Sequence, residues 1–181
     1  MNAGFAQAVI TPPVGTWLTG FAAREHPSEG VLDELVAQCA VFEDGGRWAA
    51  LVRADILCFH PDSVRRIRDE IQRLTEIAGE AVLLSGSHTH SGPAVADIEG
   101  MGILDRAYQH TMENAVIGAV VSASRNVTPA EIGVGRGGLA EVSYIREGEG
   151  EGELTRDPDV TVLKIGRPNS EETLGVLVNF T

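Results

Sequence analysis

Asp44-Gly45-Gly46, set between two apolar runs, constrains the fold of this chain more than any other short stretch. The flanking runs, Val36 to Glu43 and Trp48 to Leu57, both have strand character. A glycine-rich tight turn between two such runs is a strong hairpin signal. Around it the chain reads strand-rich, then helix, strand, helix, and strand-rich again. Phe5 to Ile10 reads as the first strand, and Thr11-Pro12-Pro13 stops it because proline has no N–H to give to a ladder. A loop punctuated by Gly and Pro runs from Val14 to Leu32.

After the hairpin the periodicity changes to that of a helix, over Pro61 to Ala78. Pro61 suits the first turn, and Val64, Ile67, Ile71 and Leu74 form an apolar stripe. Arg65, Arg66, Arg68, Asp69 and Glu70 face outward, and Gly79 ends the helix. Ala81 to Ser87 is the next strand, and a loop from Ser91 to Gly102 leads to a second helix over Leu104 to Ser124. Its segment Ala115 to Ala123 is apolar on most sides, which predicts deeper burial than the first helix. Ala130–Val134, Glu141–Arg146, Val160–Ile165 and Thr173–Phe180 all have strand character. The pattern predicts an α/β fold, a mixed β-sheet with two main helices packed on one face. With no internal repeat and no linker, it reads as a single domain.

The strand Ala81-Val82-Leu83-Leu84 feeds into Ser87-His88-Thr89-His90-Ser91-Gly92-Pro93. In extended backbone, residues i and i+2 point to the same side. His88 and His90 are therefore expected to face one small volume at a strand end, where layered α/β enzymes often place their chemistry. Imidazole is the commonest metal ligand and the usual acid or base near neutral pH. The spacing alone is weak, and two histidines fall short of a zinc site, which wants three or four protein ligands. Further ligands have to come from elsewhere in the fold or from outside this chain. Asp55 ends the neighbouring run Ala49 to Ala54; it is either a carboxylate that orients an imidazole or a simple strand-end cap.

Other motifs carry less. Gly133-x-Gly135-x-x-Gly138 matches a dinucleotide fingerprint in form, but that fingerprint needs a helix next, and Leu139 to Arg146 looks extended. The glycines are better read as serving a bend or bulge in a strand. Gly148 to Glu153, alternating glycine and glutamate, lacks the spacing of a calcium loop and reads as a solvated connection. His26, His60 and His110 are isolated, with His60-Pro61 in a helix-start position. Cys39 and Cys58, each in an apolar strand-like run, read as buried free thiols.

Charge narrows the partners. With 14 basic against 26 acidic residues, the formal charge is -12, which argues against nucleic acid and anionic membrane surfaces. No apolar run is long enough to span a bilayer, and Met1 to Ile10 lacks the pattern of a secretory signal, so the expected location is the cytoplasm.

At this point a likeness enters. Ser87-His88-Thr89-His90-Ser91-Gly92-Pro93 resembles the T-H-T-H-S-G-P segment of the neutral/alkaline ceramidase family. Ala8 to Gly15 resembles that family's opening A-x-I-T-P-P-x-G, and Gly30 to Asp44, with Leu35 and Ala40 to Asp44, is similar to the segment that follows. Ala54-Asp55 resembles the aspartate ending the next strand, so the ordered likeness covers nearly the whole chain.

The resemblance implies a zinc-dependent hydrolase of an amide bond, acting on N-acylsphingosine or a related small-molecule or lipid amide. It implies that His88 binds Zn2+ and that His90 lies beside the metal to hydrogen-bond the reacting groups or donate a proton. A family arginine near the scissile amide corresponds to Arg146, although the asparagine that usually precedes it is Ile145 here. In the family, a second zinc histidine follows the strand matched by Val178 to Thr181, with the other ligands and the catalytic serine further downstream. The chain is therefore expected to be the N-terminal portion of a larger layered α/β catalytic domain, with a half-built site and weak or absent zinc. An uncovered sheet face would then be apolar and is expected to drive a homo-oligomer. Two other readings remain open: a non-catalytic ceramidase-like binding or interaction module, and a hydrolase with Ser87 or Ser91 as nucleophile. The last lacks a Gly-x-Ser-x-Gly elbow.

Overall fold

The computed structural model describes residues 1–139 and 158–180. These divide into two compact units, 1–128 and 129–181, each of which has its own sheet.

The first unit opens with β1 (Asn2–Val9), followed by β2 (Val36–Asp44) and β3 (Arg47–Ala54). Gly45 and Gly46 join β2 to β3 at φ 57° and 81°, and Asp44 pairs with Arg47. Two successive positive φ values match the right-handed twist of the flanking strands, and glycine takes them without a Cβ clash. This is the hairpin the sequence announces. Helix α1 (Pro61–Leu74) crosses over to β4 (Val82–Gly86), which lies parallel to β3. Helix α2 (Arg106–Arg125) and the two-residue strand β5 (Thr128–Pro129) complete the order β4-β3-β2-β1-β5. The sheet is mixed because β1, β2 and β3 pair antiparallel while β3 and β4 pair parallel.

Both helices share one apolar cluster with this sheet. Ala37, Cys39 and Val41 alternate along β2, and Ala50, Val52 and Ala54 along β3, meeting Ile67 and Ile71 of α1 and Met112, Val116 and Val120 of α2. The small side chains on the strands leave room for the helices, and the pleat turns the intervening residues the other way. As predicted, α2 is the more buried helix. Its start is fixed by the Asp105 carboxylate, which accepts from the Tyr108 N–H at 3.0 Å. His60 caps α1 in the same way, its Nδ1 accepting from the Asp62 N–H at 3.1 Å. Among the described residues, no helix is long and apolar enough to cross a membrane.

Helix α1 is shorter than its pattern suggests. Thr75 turns into extended backbone, and its hydroxyl donates to the Ile71 carbonyl at 2.7 Å. The same hydroxyl accepts the Ile77 N–H at 3.1 Å in place of a helical carbonyl, so Thr75 rather than Gly79 ends the helix, and Leu74 is left outside the stripe. Gly79–Ala81 forms a separate 3-10 turn.

The second unit carries β6 (Glu131–Gly138), β7 (Asp159–Gly166) and β8 (Thr173–Phe180), an antiparallel sheet in the order β6-β7-β8. Gly133, Gly135 and Gly138 lie within β6 and pair in unbroken register with Lys164, Val162 and Asp159 of β7. They are strand residues, which rules against the dinucleotide fingerprint, but they mark no bulge in the ladder. Cys39 is buried and burial pushes its thiol up to about 11, so it is inert at neutral pH. Cys58 is also free, but lies in the connection after β3 and is only half-buried.

Candidate active site

The histidine segment leaves β4 still tied to the chain that follows β3. The Ser87 N–H donates to Ala54 O at 2.9 Å and the His88 N–H to Ile56 O at 3.1 Å. At His88 the backbone turns left-handed, with φ 59°. The extended geometry expected across His88 and His90 is therefore not what brings the two rings together. The left-handed residue does so, and the ring centroids lie 5.2 Å apart at 66°. That conformation costs a non-glycine residue on the order of 1 kcal/mol or more, and such costs collect at functional sites.

A carbonyl fixes the chemistry of the His88 ring. Nδ1 lies 3.1 Å from Leu57 O, and a carbonyl can only accept, so Nδ1 carries the proton. In neutral imidazole this leaves the Nε2 lone pair free on an exposed side chain. Metal-binding histidines have this arrangement, with the second nitrogen anchored to a backbone carbonyl. His88 therefore fits the role of one zinc ligand. Among the described residues, no group of three or more His, Cys, Asp or Glu side chains is placed to hold a metal ion.

The facing wall comes from the long loop between β1 and β2. Its base is closed by Ile10 N–H to Leu35 O at 2.8 Å and by Leu35 N–H to the Thr11 hydroxyl at 2.9 Å. Its first half is sewn onto the histidine segment. The Thr19 N–H donates to Gly92 O at 3.0 Å, and the Ala94 N–H to Trp17 O at 2.8 Å. The edge of the Phe21 ring meets the His90 ring at 5.2 Å and 78°, and Arg24 donates from Nη2 to His90 O at 3.2 Å. Behind this wall lies a cleft of about 530 Å³, lined among others by Pro12, Arg24, His26, Leu32, Thr89 and Ser91. Thr19 Oγ1 and Arg24 Nε, both on this loop, are the two buried side-chain polar atoms without a partner among the described residues.

Asp55 settles into the structural half of its two readings. Its Oδ2 accepts from the Val36 N–H at 3.1 Å, while Oδ1 accepts from the Ser87 hydroxyl at 3.1 Å and pairs with Arg53 at 2.8 Å. It staples the end of the hairpin to the start of the histidine segment. Ser87 is thus committed to a carboxylate. Arg146 and the Gly148 to Glu153 stretch lie outside the described residues. The sequence reading missed Gly20, Phe21 and Arg24. The available signal was the length of the loop itself, since long connections without regular structure inside a compact domain are usually functional.

Comparison with known proteins bears on the family and the fold. Residues 2–181 match the model of the N-terminal region of neutral/alkaline non-lysosomal ceramidases. Neutral ceramidase A of Dictyostelium discoideum is 30% identical across 68% of this chain and 19% of its own length. The crystal structure of neutral ceramidase from Pseudomonas aeruginosa superposes with a TM-score of 0.85, covering 98% of this chain and 31% of that one at 19% identity. A ceramidase complexed with C2 superposes with the same TM-score over 30% of its chain. The chain thus spans from about a fifth to about a third of the length of these relatives. It belongs to the neutral/alkaline non-lysosomal ceramidase family.

Proposed function

We propose that this chain contributes His88 and His90 to the active site of a zinc-dependent hydrolase that cleaves the amide of an N-acylsphingosine or a related amide. The observation that carries the reading is the 3.1 Å contact between His88 Nδ1 and the Leu57 carbonyl, which leaves Nε2 free to act as a ligand. Zinc, when bound, polarises the amide carbonyl and brings the pKa of water towards neutrality. His88 would hold it by Nε2. The other ligands would be supplied by residues outside those described. His90, ring to ring with His88, would stand beside the scissile bond and pass a proton to the departing amine nitrogen. Arg146 would hydrogen-bond near the amide. The cleft bordered by Thr89 and Ser91 offers the space into which part of a substrate could extend.

Metal analysis of the whole gene product tests the reading. Stoichiometric zinc that is lost in His88→Ala supports it. In His90→Ala, zinc should remain while amide turnover falls by about a hundredfold or more. A zinc-free, fully folded wild-type protein would instead favour the non-catalytic module.

A further inference from the structure

We propose that Gly20, Phe21 and Arg24 form a clamp that sets the orientation of the His90 ring, making them positioning residues for the proton transfer. This rests on the role given to His90 above. Two contacts converge on that one residue, and a third joins the residues that make them. Arg24 holds its carbonyl at 3.2 Å, so the backbone of the turn is fixed from outside the turn. The Phe21 ring meets the imidazole edge to face at 5.2 Å and 78°, the geometry aromatic quadrupoles prefer. The Arg24 guanidinium lies 5.6 Å from the centre of the Phe21 ring, which ties the two clamp residues to each other.

Gly20 closes the remaining side. At φ 106°, a Cβ on this residue would lie 2.6 Å from Cα, Cβ and Cγ of His90. Only a hydrogen fits there, and any side chain would push the imidazole away. On its other flank the His90 ring meets His88. The ring is therefore boxed between the clamp and the residue read as the metal ligand, and hydrogen bonds to Gly92 and Ala94 hold the loop that closes the box. The same loop holds the buried, unpartnered Thr19 Oγ1 and Arg24 Nε.

The test has two readouts, one of which is independent of turnover. In the whole gene product, diethyl pyrocarbonate acylation of His90 is followed by peptide mass spectrometry, with exposed His110 as the internal reference. Arg24→Ala should speed His90 acylation several-fold with the circular dichroism unchanged. Arg24→Lys should fall between, because an ammonium can still reach the carbonyl but cannot stack flat on Phe21. In amide hydrolysis, Arg24→Ala should lower kcat by about a hundredfold while KM stays put, as expected for misplacement of a reacting group. Gly20→Ala should behave likewise, and if it does not fold, the Arg24 pair decides. An unchanged His90 acylation rate in folded Arg24→Ala overturns the clamp. If acylation accelerates but the wild-type protein hydrolyses no amide, the clamp stands and the hydrolase reading falls.

Discussion

The layer of sheet and helices and the two loops beside it are held together in opposite ways. In the layer, β2 and β3 alternate small apolar residues against Ile67, Ile71, Val116 and Val120, and the only positive φ angles are at the turn glycines Gly45 and Gly46. The loops, 11–35 and 87–105, contain Gly15, Gly20, His88, Gly100 and Gly102 at positive φ and both buried orphan polar atoms. The layer is stabilised by area removed from water, a sum of many small terms. The loops depend on a few single contacts and carry local costs that the layer has to offset. A change in the layer should therefore act on stability, and a change in the loops on the site.

The largest effect that would separate them is Ile67→Ala, at a fully buried position. We expect a loss of about 3 kcal/mol in urea unfolding, with activity per folded molecule intact. A loss of activity at full stability would break the comparison. Next is Arg66, which pairs with the buried Glu113 through Nη2 at 2.6 Å and Nε at 3.0 Å. Burial works against the charge of Glu113, but Arg66, Ser63 and His110 together hold its carboxyl below the usual carboxylate range. Arg66→Ala should cost about 2 kcal/mol near neutral pH, less than for a fully buried pair because the guanidinium is half in water. A depressed carboxylate contributes stability above its unfolded pKa and loses it as pH falls through the folded one. The wild type should thus lose stability below about pH 4.5, and Glu113→Gln should lose less over that window.

Smaller effects sharpen the contrast. Gly46→Ala places a Cβ at φ 81° in open space, so only backbone strain counts, and stability in urea unfolding should fall by about 1 kcal/mol. The smallest change carries the most telling sign. Thr19→Val removes a buried hydroxyl that has no partner and keeps its shape, so stability should rise by up to about 1 kcal/mol. A clear drop in melting temperature would show that the loop is built for stability after all.

The layer was legible because each of its signals is local. The turn glycines, the stripe Ile67/Ile71 and the prolines after β1 all act on neighbours within a few positions, and periodicity reports such neighbours. The mixed sheet with helices followed from them, as did the family from the motif around His88. Finer points failed where a single side chain outvoted the pattern, as Thr75 did at the end of α1. The site was legible only in part. The pairing of His88 with His90 was readable, but its cause was not, because a left-handed histidine leaves no mark in a hydropathy pattern. The clamp was invisible for a different reason. Arg24 and His90 are 66 positions apart, and nothing in either neighbourhood announces the other.

That separation also orders events in time. The hairpin β2–β3 closes over two residues, and such local pairings form early because they lose little chain entropy. Contact between Arg24 and His90 has to await the hairpin, the crossover through α1 and the docking of β4. We expect the clamp to be the last part of this unit to assemble and the first to open. Amide exchange should show it: Thr19 and Ala94, whose N–H groups sew the loop to the histidine segment, should exchange well before the N–H groups of Val41 and Val52. Equal protection would mean that the wall beside the histidines and the core unfold as one, and that the histidines are set from the start of folding.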